Sequence, residues 1–127
     1  MPAAARVAVL TETGNAHGTE KPPVVAATTV TSASEVAALA KYLNGLPVNV
    51  PGESFSCLAF RSGGLTVSFR ARSGGPALAQ AAAELGGCGF LTYTMPGQPP
   101  AGLNEAEAGD ALLAAVNHAT GLHWKLP

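Results

Sequence analysis

Chemistry in this chain would have to come from three histidines, two cysteines, one aspartate and a small group of arginines. A metal site needs three or four converging ligands. His118 and His123 stand five apart across a helix stop, which is not the i, i+4 spacing that puts two ligands on one helical face. His17 sits in a Gly/Pro-rich loop. A hydrolytic triad needs a nucleophile, a base and an orienting acid. Asp110 precedes His118 by eight residues, about 12 Å along one helix, too far to hold its ring. No G-x-S-x-G occurs, and none of Gly63-Gly64, Gly74-Gly75 and Gly86-Gly87 belongs to a G-x-x-x-x-G-K phosphate loop. Glu105 and Glu107 diverge on a helix. No cofactor, metal site or catalytic residue is therefore expected, and the chain reads as non-enzymatic. The enzymatic alternative is a pocket gathering His118 or His123 with Glu or Arg groups.

Arg61, Arg70 and Arg72 form the one charge cluster. Alternation places Arg70 and Arg72 on one strand face, with Arg61 at the end of the preceding strand. That is an anion or acidic-partner site, or a solvated sheet face. Thr66, Ser68, Thr92 and Thr94 would be its rim. Tyr93 and Trp124 are the candidate recognition aromatics, since Tyr and Trp are enriched in interface hot spots, although Trp124 suits packing of the tail onto the body. The segment Met95–Gly102 (MPGQPPAG) is a loop by composition. Presented rigidly, it would suit a protease inhibitor.

These residues need a scaffold, and composition bounds it. The chain has 127 residues, the size of one domain, with loose ends expected at 1–5 and 125–127. The formal net charge is -1, so a nucleic-acid grip, which requires clustered Lys/Arg, is not expected. Charged residues are 12%, about half the usual share. Much of the 47% hydrophobic content is alanine, so the bulky core is short: Leu39, Leu43, Val67, Phe69, Leu112 and Val116. No run approaches the roughly 18 apolar residues of a membrane span.

Local patterns give the elements. Arg6–Thr13 and the Thr-rich Val24–Thr31 read as strands joined by a long loop. Ser32-Ala33-Ser34-Glu35 matches a capping box. Behind it, Val36, Leu39, Ala40 and Leu43 share one helical face, with Gly45 placed for a left-handed stop and Pro47 preventing resumption. Phe55–Phe60 reads as a strand carrying Cys57, and Leu65–Arg72 alternates as a half-buried strand. Ala77–Leu85 is ambiguous: its composition favours helix, but its place between two Gly-Gly turns favours a strand. Phe90–Met95 is a further strand. Asn104 with Glu107 caps a second helix, in which Leu112, Leu113, Val116 and Ala119 form the buried stripe and Gly121 the stop. The order is β-β-α-β-β-β-β-α. It implies an α+β fold, a single antiparallel sheet of about five or six strands with two helices on one face.

Cys57 and Cys88 allow two readings. They are buried free thiols, or one disulfide. A bridge closing a loop of about 32 residues contributes roughly 3–4 kcal/mol in the chain-entropy model. Low charge, Thr/Ser/Gly/Pro richness and a thin core favour the bridge and an exported protein. Ala3–Leu10 is interrupted by Arg6 and lacks the form of an export signal. Two placements follow: a mature extracellular or cell-surface domain bearing an added Met1, or a cytosolic protein.

The stretch TVTSASEVAALAKYLNGLP, followed by PGESFSC, LTVSFRARSGG, GGCG and a closing leucine-rich helix, resembles a recurrent type of small actinobacterial exported protein or lipoprotein, over Val24 to Trp124. The resemblance implies export, pairing of Cys57 with Cys88, and a strand at Ala77–Leu85. It implies no activity. The expectation is an extracytoplasmic binding domain for a protein or cell-surface partner.

Overall fold

Small and β-branched residues in alternating rows build most of the molecule. In the computed structural model, residues 5–14, 23–45, 63–84, 91–97, 101–103 and 108–124 are described. The elements are β1 (Val7–Thr13), β2 (Val24–Val30), α1 (Ala33–Asn44), β3 (Gly64–Arg70), β4 (Ala77–Glu84), β5 (Leu91–Thr94), β6 (Ala101–Leu103) and α2 (Ala108–Thr120). The six strands form one sheet in the order β2-β1-β3-β4-β5-β6, and every neighbouring pair is antiparallel. The fold is α+β, as the patterning implies. No described helix is long and apolar enough to cross a membrane.

One strand place is filled differently from expectation. Ala101–Leu103 forms β6, although Pro and Gly made it read as loop. Three residues are too few to show alternation, and only pairing with β5, with Leu103 beside Leu91, reveals them as a strand. The expected strand Phe55–Phe60, Arg61, His17 and both cysteines of the expected Cys57–Cys88 bridge lie outside the described residues.

Register fixes what each face carries. Ala8, Leu10 and Glu12 of β1 stand opposite Phe69, Val67 and Leu65 of β3. These in turn face Ala79, Ala81 and Ala83 of β4. Directly opposed residues project to the same side of a sheet. This side meets Val36, Leu39 and Leu43 of α1 and Leu112, Leu113 and Val116 of α2 in one buried cluster. All six large residues expected in the core are in it. The sequence Ala77–Glu84 is a strand despite its helical propensity because it lies between β3 and β5 and pairs with both. Its inward alanines leave room for α2, which packs on β4 and β3.

The helix ends depart from the expected caps. Ser32 holds the N-cap position, but its side chain makes no cap hydrogen bond; its Oγ instead lies 3.1 Å from Ser34 Oγ. The reciprocal box is therefore not formed. Gly45 ends α1 at φ -82°, in the right-handed region, with its N–H donating back to the carbonyls of Lys41 and Tyr42. The left-handed stop does occur after α2, at Gly121 (φ 73°), whose N–H donates to the Asn117 carbonyl at 2.9 Å. The proposed cap of α2 at Asn104 and Glu107 is outside the described residues.

Candidate functional site

With both helices on one side, no described helix or strand lies over the other side of the sheet, although Val7 and Ser68 are buried there. Val9, Thr11 and Thr13 of β1 project there, beside Ser68, Thr66 and Gly64 of β3. Gln80 and Ala82 of β4 follow, beside Thr94 and Thr92 of β5. These are β-branched or small residues with one hydroxyl each at most positions, which suit a pleated surface. Thr92, Thr94 and Gln80 are exposed, and Thr11, Thr13 and Thr66 are half-buried. Thr66, Ser68, Thr92 and Thr94 therefore share this side of the sheet. Ser68 at its centre is only 5% exposed, and its Oγ is enclosed without a hydrogen-bond partner.

Of the expected arginine cluster, Arg70 and Arg72 are described and Arg61 is not. Strand β3 ends at Arg70, and Arg72 lies in the bend that follows. Both serve the β3–β4 turn. Arg70 Nη1 donates to the Gly75 carbonyl at 2.8 Å, while its Nε is buried without a partner. Arg72 folds over Gly75 so closely that a Cβ at that glycine would lie 2.9 Å from Arg72 Cγ. The turn needs its glycines: Gly74 has φ 78°, and the Gly75 N–H donates to the Arg72 carbonyl at 3.0 Å. Alternation misplaced Arg72 because it cannot register where a strand stops.

Tyr93 is on the opposite side from Arg70. It pairs with Ala81 and packs against the core, and its hydroxyl donates to the Leu43 carbonyl at 3.1 Å, tying β5 to the end of α1. Burial, with a smaller contribution from Tyr42, pushes its phenol up to about 12. Tyr93 therefore faces the opposite side of the sheet from Arg70. Trp124 is half-buried against the core. Its backbone is held by one side chain, with Asn117 Nδ2 donating to the Trp124 carbonyl at 2.8 Å and the Trp124 N–H donating to Asn117 Oδ1 at 3.0 Å. Asn117→Ala should release this tail, cost about 1–3 kcal/mol through the two lost partners, and shift the fluorescence of the chain's single tryptophan to the red.

His118 and His123 are both exposed. Among the described residues, no group of three His, Cys, Asp or Glu side chains is placed to hold a metal. A shallow depression of about 250 Å³ is lined by Thr28 to Ser32, Glu35, Thr120 and Leu122, at the edge of the helix layer beside β2, and neither histidine lines it. Of the Met95–Gly102 segment, Pro96 and Gly97 form an exposed turn, and the strand pairing of β5 with β6 flanks it.

One residue with distinctive chemistry escaped the sequence reading. Glu12 is 3% exposed and faces the helix layer, opposite Leu65 and Ala26. Its Oε1 has no hydrogen-bond partner, and burial pushes its carboxyl above the ordinary range. The signal was the phase of the alternation: Ala8, Leu10 and Glu12 are all even-numbered and all point inward. No protein-family model matches the chain, and no curated protein or solved structure shows significant similarity to it.

Proposed function

We propose that the protein is a non-enzymatic, extracytoplasmic interaction domain that binds a protein or cell-surface partner through the open face of its sheet. The observation carrying this reading is the division of the sheet: both helices pack on one side, and the other presents exposed Gln80, Thr92 and Thr94 beside half-buried Thr11, Thr13 and Thr66. Such a surface offers several small hydroxyl donors and acceptors spread over neighbouring strands, which suits a macromolecular contact. The Cys57–Cys88 bridge belongs to the same proposal, as a staple for a thin core in an oxidising compartment.

The test uses immobilised chain and the culture supernatant of its source. Thr11→Lys, Thr66→Lys and Thr92→Lys together should abolish specific capture. A control carrying Ala37→Lys and Ala38→Lys, at exposed positions of α1, should retain it. Equal capture by both variants would remove the open face from the account. A second reading, inhibition of a protease through Met95–Gly102, is favoured by the strand pairing that flanks the exposed Pro96-Gly97 turn. It predicts slow cleavage within that segment and saturable inhibition.

A further inference from the structure

Strand β2 forms one edge of the sheet described above, and its sequence is VVAATTV. Exposed edges are normally protected by charge, proline or short length, because their unpaired N–H and C=O groups template further pairing. β2 carries no charged residue and no proline over its seven residues. The opposite edge, β6, has three residues. The exposed large hydrophobic side chains among the described residues are Val24 and Val25, 62% and 54% accessible, both on β2.

We infer that β2 is a self-association edge, and that its partner is a second copy of this chain in antiparallel alignment. The register follows from the strand itself. A bulge beside Glu12 and Thr13 interrupts regular pairing near Val24 and Val25, leaving Ala26–Val30 as the regular run, centred on Thr28. A two-fold axis at Thr28 sets Ala26 against Val30 and Ala27 against Thr29 of the second copy. Small residues then meet β-branched ones, and no like charges oppose. The exposed Val24 and Val25 lie at the end of this run. An unrelated strand would have to match this shape and neutrality; a second copy does so by symmetry. The contact is isologous, so it closes at a dimer rather than propagating. Both helix layers lie on one side of the joined sheet, and both open faces on the other.

Sedimentation equilibrium of the full chain tests this. The expected mass is twice the 12.7 kDa of the chain. Thr29→Lys, at an exposed edge position, should weaken the dimer at least tenfold while leaving the circular dichroism spectrum unchanged. Thr28→Cys should form a cross-link between copies under mild oxidation, which peptide mapping places at position 28 on both chains. A wild-type chain that stays monomeric at the highest soluble concentration overturns the inference. So does a dimer of undiminished affinity in the Thr29→Lys variant, or a dimer in which the Thr28→Cys variant does not cross-link at that position.

Discussion

Phe69→Ala is expected to destabilise the protein by about 3–5 kcal/mol, the usual cost of emptying a buried aromatic site, while Ser68→Ala next to it costs nothing or stabilises. The two residues are adjacent in β3 and both are buried, so burial alone would not separate them. The side of the sheet does. Phe69 projects into the helix layer beside Ala8 and Ala79, where truncation leaves a cavity that neighbouring alanines cannot fill. Ser68 projects to the open face, and its hydroxyl has no partner; removing an unsatisfied polar group relieves a desolvation cost instead of breaking a bond. Urea denaturation of the two variants measures the contrast. Comparable losses in both would mean that the two faces are packed alike, contrary to the register.

Glu12→Met is expected to stabilise the protein at neutral pH by about 1–3 kcal/mol, the desolvation cost of a buried unsatisfied polar group, or more because the group is charged. That corresponds to roughly 3–6 °C in Tm per kcal/mol for a domain of this size. Glu12→Gln isolates the charge. Burial raises the folded-state pKa of this carboxyl above its ordinary value of 4.5, so the folded protein holds the proton more tightly than the unfolded chain. The stabilising contribution of protonation is complete below about pH 4.5 and is lost as pH rises through the folded value. Thermal melts of wild type and Glu12→Gln should therefore converge at acid pH and separate toward neutrality, with the variant higher. A constant gap across the range would show that Glu12 titrates normally and is not desolvated.

Much of the scaffold was legible because its signals are local. Leu39, Leu43, Leu112 and Val116 are spaced for one helical face, and Val67 and Phe69 for one strand face; all six are buried. The strand at Ala77–Glu84 was legible only from context, since alanine propensity points the other way and tertiary pairing on both edges decides it. The functional surface was less legible. Period-two alternation assigned Thr66 and Ser68 to one side correctly, but it could not say that Tyr93 of β5 faces the opposite side from Arg70 of β3. That relation depends on the registers of β3 with β4 and of β4 with β5, which hydrogen bonding fixes across the sheet. It also extended the strand to Arg72, where the Gly74-Gly75 turn already claims the chain. Glu12 was overlooked because Thr-Glu-Thr reads as polar, although the inward phase set by Ala8 and Leu10 passes through it.

The two-sided sheet leads to one direct measurement. Threonine methyl NMR of the full chain, titrated with the partner captured from culture supernatant, reports both sides at once. Thr11, Thr66, Thr92 and Thr94 lie on the open face, whereas Thr28 stands opposite Leu10 on the helix side and Thr120 donates its hydroxyl to the Val116 carbonyl of α2. Saturable shifts at the first four, with Thr28 and Thr120 unmoved, are the predicted result. Shifts centred on Thr28 and Thr120, with the open-face methyls unchanged, would contradict it.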